Sequence, residues 1–118
     1  LNLAKNAIQS LFFEPSQMPK LQTLNLADNK IKNFPIEITN LLELTVLDIS
    51  GNQIKTLPPE IGRLQKLEVL DISNTLLTKF PQEFALLTNL KNLKVTWKQL
   101  SSLRHTVGQI LPDCYVLS

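Results

Sequence analysis

Apolar residues recur along this chain at an interval of 23 residues. Within one unit, the apolar residues Leu47 and Ile49 alternate with Asp48 and Ser50, which is the pattern of a strand with one buried face. The interval is clearest in four series: Leu21, Leu44, Leu67 and Leu90; Leu24, Leu47, Leu70 and Leu93; Leu26, Ile49, Ile72 and Val95; and Phe34, Leu57, Phe80 and Leu103. A fixed period of this length predicts a solenoid of stacked, similar coils.

The segments that join the predicted strands also carry the same residues at the same places. Asn29 and Asn52 follow a strand, where a side-chain amide can satisfy the backbone groups of a buried turn. Pro35, Pro58 and Pro81 start the return segments, and apolar residues spaced by three then predict a short 3₁₀ or α-helical turn. Strands one repeat apart can pair only in parallel, because a crossover of more than a dozen residues joins them.

The unit from Leu44 to Ile54 reads LTVLDISGNQI and matches the pattern LxxLxLxxNxL. The chain therefore resembles the leucine-rich repeat family, and the LPPEI stretch at 57–61 resembles its 23-residue subclass. The resemblance implies an α/β solenoid, a right-handed horseshoe with a parallel sheet on the concave side and short 3₁₀ or α segments on the convex side. It also implies a non-enzymatic module that binds a protein partner, and it transfers no catalytic residue.

The repeat changes at both ends of the chain. Towards the C-terminus, Thr75 and Lys98 replace the consensus Asn, and we predict a helix from Leu103 to Ile110 with an apolar face that includes Leu103, Val107, Ile110 and Leu111. A short strand at 114–117, with Cys114 and Val116 inward, would complete a cap over residues 103–118. At the other end Leu1-Asn2-Leu3 is a consensus strand with no cap before it. We therefore predict one domain over 1–118 with about five repeats, whose N-terminal edge is either truncated or covered by self-association.

The stretch from Ile110 to Val116, ILPDCYV, is similar to the ending of short bacterial leucine-rich repeat proteins, notably those of pathogenic spirochaetes. That similarity implies an exported or surface-exposed bacterial protein that contacts host components, with a cytoplasmic location as the second choice. Cys114 is the only cysteine, and the absence of the disulfide-rich caps that close many extracellular animal relatives argues for a cytosolic or a bacterial protein. A reactive thiol is not favoured, because His105 is the only histidine and falls in a convex segment.

Composition narrows the classes of partner and cofactor. The net charge of +2 and the few aromatic residues on the predicted sheet argue against nucleic acid. No apolar run reaches the roughly 18 residues that a membrane span needs. We expect no cofactor and no metal. Asp48 and Asp71 lie one predicted strand apart, but a catalytic pair or a cation site there lacks a third ligand or a nearby histidine.

The variable positions of the strands predict a binding surface on the concave face, since the consensus positions are buried. Asp28, Asp48, Glu68 and Asp71 would form a mildly acidic centre, and Lys91, Lys94 and Lys98 a basic end. We expect Asp71 to neighbour Lys94 and Glu68 to neighbour Lys91, either as pairs that keep the sheet soluble or as a bipolar docking surface. The predicted partner-binding residues are Asn25, Val46, Asp48, Glu68, Val69, Asp71, Lys91, Lys94 and Trp97.

Trp97 is the most suggestive of these residues, because it falls at an outward position beside Lys98. It is either an aromatic anchor for a partner or a packed part of the cap, with Tyr115 at its border. Three functions follow from the whole pattern. The first is a protein-interaction module, the second is the substrate-recognition arm of a larger enzyme or effector, and the third is a self-assembling structural repeat protein.

Overall fold

In a computed structural model, the backbone is described for residues 1–9, 17–107 and 113–116, and the side chains for residues 1–9 and 17–103. The centre of the fold is a parallel sheet of five strands in sequential order. The strands are β1 (Thr23–Asn25), β2 (Val46–Asp48), β3 (Val69–Asp71), β4 (Asn92–Val95) and β5 (Asp113–Val116). An isolated parallel bridge from Asn2 to Asn25 continues the same ladder on the N-terminal side.

The strand register joins equivalent residues of successive repeats. Leu24 pairs with Leu47, Leu47 with Leu70, and Leu70 with Leu93, each step being one repeat. The last step is shorter, because Leu93 pairs with Cys114 across 21 residues. The predicted parallel solenoid is therefore confirmed, and every outward position of one strand lies beside the outward position of the next.

Short 3₁₀ segments form the convex side, as the spacing by three predicted. They span Ile36–Asn40, Pro59–Arg63 and Gln82–Leu86, and each follows one of the three repeated prolines. The proline φ angles, −69°, −74° and −69°, are the values that the pyrrolidine ring imposes. The proline carbonyl accepts the first hydrogen bond of the turn, for example from the N–H of Ile61 to Pro58 O at 3.0 Å.

One apolar core runs along the described part of the chain. The inward residues of the strands, such as Leu47 and Leu70, are fully buried, and so is Ile61 on the convex side. Met18 is half-buried and packs against this core at the position that Leu41 fills in the next repeat. Because each coil packs mainly on its two neighbours, the fold is stabilised chiefly by contacts between adjacent repeats.

The repeated asparagines satisfy backbone groups of their own turns, as predicted, and they also join adjacent coils. The Asn52 amide donates to Leu26 O at 2.9 Å and to Ile49 O at 3.0 Å, and its Oδ1 accepts from the N–H of Ile31 at 3.1 Å. Asn29 makes the corresponding bonds one coil earlier. These side chains satisfy buried turn groups that would otherwise lack partners.

The C-terminal helix, α1, spans Trp97–Val107, so it begins six residues before Leu103, where the sequence pattern had placed it. The reason lies in a backbone position that repeats with the coils. Residues with positive φ stand one repeat apart at this position: Lys5 (59°), Asp28 (56°), Gly51 (68°) and Asn74 (54°). Trp97 comes next in the series, and a bulky side chain is unfavourable in that left-handed region. The chain there enters a right-handed helix instead.

The predicted cap is partly within the described structure. Leu100 and Leu103 of α1 are buried in the core. β5 begins one residue before the predicted strand at 114–117. The inward orientation predicted for Cys114 and Val116, the apolar face at Val107, Ile110 and Leu111, and the place of the Tyr115 ring lie outside the described side chains. None of the helices in the described ranges has the length and apolar character that crossing a membrane requires.

Candidate protein-binding surface

Two rows of outward residues cross the concave face, with one residue from each of the strands β1 to β4. The first, here called the polar row, contains Asn2, Asn25, Asp48, Asp71 and Lys94. The second, the valine row, contains Thr23, Val46, Val69 and Asn92. Since parallel strands lie about 4.8 Å apart, neighbours within a row can contact one ligand together. The register therefore brings six of the nine predicted residues, all but Glu68, Lys91 and Trp97, into these two rows.

The acidic members of the polar row have a structural role that the sequence analysis missed. Asp48 Oδ1 accepts hydrogen bonds from the N–H and the hydroxyl of Ser50, at 2.9 and 2.6 Å. Asp71 binds Ser73 in the same way, at 3.0 and 2.6 Å. In each case a single carboxylate oxygen holds the turn after the strand. The second oxygen accepts no hydrogen bond from the described residues, so it remains available to a ligand.

The two predicted charge pairs differ in outcome. Lys91 Nζ lies 3.3 Å from Glu68 Oε1, and both side chains are well exposed, so the pair adds at most about 1 kcal/mol to stability. Asp71 and Lys94 are register partners, but within the described part of the chain they form no ion pair. The predicted proximity of Asp71 and Lys94 is therefore confirmed, but the Asp71 carboxylate binds Ser73 instead of the Lys94 ammonium.

The centre of the concave face is weakly apolar. Val46 and Val69 are direct register partners, and both are half-buried. Thr23 and Asn92 continue the row on either side, so the apolar strip is two residues wide. Glu68 and Lys91 border a shallow depression of about 300 Å³ next to this strip. A flat face of this kind suits a protein surface better than an enclosed small molecule.

Trp97 follows β4 as the first residue of α1, and 67% of its surface is exposed. Lys98 beside it is also exposed. This exposure is the opposite of what packing within the cap would produce. An exposed Trp next to cations is an aromatic group that can enter a pocket of a partner at low conformational cost.

Gln99 is a buried residue whose role the sequence analysis did not find. Only 2% of it is exposed, and its Nε2 donates to Ile72 O at 2.8 Å and to Thr75 Oγ1 at 2.7 Å. Its Oε1 accepts from the N–H of Thr96 at 3.0 Å. It thus supplies the bond that an Asn at Lys98 would donate and the bond that an Asp at Lys94 would accept. A lysine has no acceptor atom, so Lys94 cannot take the place of that Asp.

Metal binding finds no support in this surface. Among residues 1–9 and 17–103, no three His, Cys, Asp or Glu side chains stand close enough together to hold an ion. Asp48 and Asp71 are neighbours in the polar row, and no third such side chain among the described residues joins them. What the face offers is a set of hydrogen-bonding groups, a small apolar strip and separated charges.

Comparison with known families agrees with this architecture. A family model described as leucine-rich repeat region matches residues 36–110, and one described as leucine rich repeat matches residues 1–54. The chain belongs to the leucine-rich repeat family. Members of this family typically act as non-enzymatic modules in protein–protein interaction.

Solved structures show the same fold. A leucine-rich repeat protein of Leptospira interrogans is 37% identical over 100% of this chain and 30% of that chain, with a TM-score of 0.82. The leucine-rich repeat domain of APL1B is 26% identical over 81% of this chain and 30% of that one, with a TM-score of 0.72. The plant peptide hormone receptor RGFR1, in complex with RGF2, is 23% identical over 85% of this chain and 18% of that one, and its TM-score of 0.60 shows the fold alone. No curated protein matches the sequence.

The likeness to the Leptospira protein bears out the predicted resemblance to bacterial leucine-rich repeat proteins of the spirochaete type. The chain spans less than a third of the length of that structure. The comparison therefore shows that the repeats are similar. The activity and the partners of the whole protein are matters for a proposal.

Proposed function

We propose that this chain binds a protein partner on its concave face. The observation that carries the proposal is the alignment of the polar row beside the valine row, with exposed Trp97 two residues after β4. These positions vary from repeat to repeat, while the inward positions of the same strands stay apolar. Binding at the variable positions requires no change in the buried core.

The charges of the face indicate how a partner would be oriented. Among the described residues, Asp48 and Asp71 each keep a carboxylate oxygen without a hydrogen bond near the centre, and Lys94 on β4 makes no ion pair. A partner with a basic group over the aspartates and an acidic group near Lys94 would match both. Such complementarity sets orientation and association rate more than affinity, which would come from the valines and Trp97.

Binding can be tested by replacing Trp97 and Lys94 together with alanine. A partner would first be captured on the immobilised protein, identified by mass spectrometry, purified and titrated by calorimetry. We expect the double variant to bind roughly tenfold more weakly, since an exposed aromatic anchor and a desolvated charge are both lost. Its unfolding by urea should change by less than about 1 kcal/mol, because neither side chain is in the core.

The matched control replaces Leu42 and Arg63, an exposed apolar residue and an exposed cation away from the sheet, with alanine. It should bind like the wild type. Equal losses in the two double variants would show that the partner does not bind the Trp97 end. A large loss of stability in the first variant would place Trp97 in the cap instead.

The resemblance to spirochaete proteins extends the proposal to an exported bacterial protein whose partner is a host component. Support for this step is the 37% identity to the Leptospira interrogans protein together with the ILPDCYV sequence at 110–116. Fractionation of cells that produce the full-length protein would test it. Exclusive recovery of the protein in the cytoplasmic fraction would reject an exported role.

A further inference from the structure

A second surface, separate from the concave face, lies where the chain leaves the strands and moves to the convex side. Segments 30–34, 53–57 and 76–80 form it, and we call it the lysine flank. Backbone hydrogen bonds join these segments. The N–H of Gln53 donates to Ile31 O at 2.9 Å, and the N–H of Leu76 donates to Ile54 O at 3.0 Å. The three segments are therefore stacked side by side on one flank of the solenoid.

The lysine flank is strongly cationic. Its three segments contain four lysines and no acidic residue, although the whole chain has a net charge of only +2. The lysines are Lys30, Lys32, Lys55 and Lys79, and all four are exposed. Lys32 and Lys55 occupy the same position in adjacent coils, so their backbones stand roughly 5 Å apart. Like charges at this spacing repel each other, so the flank would be stabilised by an anion.

On the opposite flank of the solenoid, where the chain returns to the strands, lysines are paired with glutamates of the adjacent coil. There Lys66 Nζ pairs with Glu43 at 2.5 Å, and Lys91 pairs with Glu68 at 3.3 Å. In the described part of the chain, none of the four lysines of the lysine flank makes an ion pair within 4 Å. Among the described residues, the four lysines of the lysine flank are thus a concentrated group of cations without ion pairs.

Uncharged polar side chains stand between these lysines. Gln9, Asn33 and Gln53 join Lys30 and Lys32 around a shallow cavity of about 510 Å³. An amide side chain can donate and accept at once, so it can pair with the N–H and C=O groups of another chain. Among the described residues of the flank, the aromatic rings belong to Phe34, which is half-buried, and Phe80, which is buried. Neither offers the open platform on which a base or a sugar ring stacks.

We propose that the lysine flank binds an extended acidic segment of a protein. The carboxylates of such a segment would neutralise the lysines, and its main chain would bond to the amides around the cavity. The flank holds lysines and no arginine, which favours attraction of dense charge over the fixed bidentate geometry of an arginine site. This proposal goes beyond binding at the concave face and uses different residues.

The test uses a fluorescein-labelled polyglutamate peptide of about ten residues, long enough to cross the three coils. Binding to the wild type is followed by fluorescence anisotropy at about 20 mM and about 300 mM NaCl. We expect saturable binding at low salt and a loss of at least about tenfold at high salt, because exposed charges are screened. Lys32→Ala with Lys55→Ala should weaken binding roughly tenfold at low salt.

The control removes two exposed cations outside the lysine flank, through Arg63→Ala with Lys66→Ala, and should change the affinity by less than about twofold. Equal losses in the two double variants would overturn the proposal, since they would show attraction by net charge alone. Failure of the wild type to bind the peptide at low salt would also overturn it. So would tighter, flank-dependent binding of a sulfated heparin oligosaccharide, which would assign the surface to a glycan.

Trp97→Ala separates the two proposals. This change lies at the end of the concave face, so the variant should bind the polyglutamate peptide like the wild type. Loss of peptide binding in Trp97→Ala would overturn the assignment of the acidic segment to the lysine flank. The proposed concave-face function is tested with a purified partner protein and not with this peptide, so either proposal can fail alone.

Discussion

At the scale of single residues, this solenoid depends on side chains that satisfy the backbone of its turns. Asn29 and Asn52 do so in the regular coils, and the serine-bound carboxylates of Asp48 and Asp71 do so just after the strands. Where the sequence departs from the pattern, Gln99 takes over both tasks. The fold therefore tolerates loss of a consensus residue when another side chain reaches the same backbone groups.

Replacing Gln99 with leucine should lower the free energy of unfolding by about 2–4 kcal/mol. The change removes three hydrogen bonds and leaves Ile72 O and the N–H of Thr96 without these partners. Equilibrium unfolding in urea measures the loss. Gln82→Leu is the control, because Gln82 is exposed, and it should change stability by less than about 0.5 kcal/mol. Equal effects of the two changes would contradict the role given to Gln99.

Gly51 tests the left-handed position of the repeat. Its φ is +68°, and a β-carbon there would come within 2.1 Å of Asp28 Oδ1. Gly51→Ala should cost about 1–2 kcal/mol in urea unfolding, because an L side chain is unfavourable at this φ. Asn74→Gly, at the equivalent position, should be neutral within about 0.5 kcal/mol. A stable Gly51→Ala protein would show that this turn can change its conformation.

At the scale of elements, the sequence predicted most of what the structure shows, because period and residue type agreed. The strands, their parallel register and the turns after Pro35, Pro58 and Pro81 all follow from the 23-residue interval. The start of α1 at Trp97 could not be predicted from the interval, because the expected helix was placed by its apolar spacing alone. The helix starts at Trp97 because a bulky side chain disfavours the left-handed backbone that earlier coils adopt at this position. The sequence alone does not show that backbone, which is seen in the φ values of those coils.

The candidate site was predicted in part, and for a related reason. Strand register follows from the repeat, so the rows containing Asp48, Val69 and Lys94 could be placed in advance. The direction of a flexible side chain depends on nearby donors. The sequence therefore could not show that Asp71 would bind Ser73 instead of Lys94. The role of Gln99 could not be predicted from the consensus, because Gln99 stands one residue after the consensus Asn position, which Lys98 occupies.

α1 provides a prediction about the cap. Leu103→Ala should cost about 2–5 kcal/mol, because Leu103 is fully buried in the core and its removal leaves a cavity. Trp97→Ala, in the first turn of the same helix, should cost less than about 1 kcal/mol because its ring is mostly exposed. Urea unfolding of both variants gives the comparison. A Trp97→Ala loss as large as that of Leu103→Ala would mean that the indole packs on the helix.

At the scale of the whole molecule, the repeat separates stability from recognition. One apolar core holds the coils together, and the molecule, 37 × 26 × 20 Å, presents a concave face and two unlike flanks around it. The concave face offers valines, aspartates and Trp97, while the lysine flank offers uncompensated charge. These surfaces can change without changing the core, which is how one fold can serve many protein partners.

The central claim is that the concave face binds a protein. Its most direct test is calorimetric titration of the captured and purified partner against two single variants with the same added charge. Val69→Arg lies in the middle of the concave face, and Ile36→Arg lies on the convex side, where Ile36 is 47% exposed. We expect Val69→Arg to weaken binding at least about tenfold and Ile36→Arg to leave it within about twofold of the wild type. Undiminished binding by Val69→Arg, or an equal loss in Ile36→Arg, would contradict the claim.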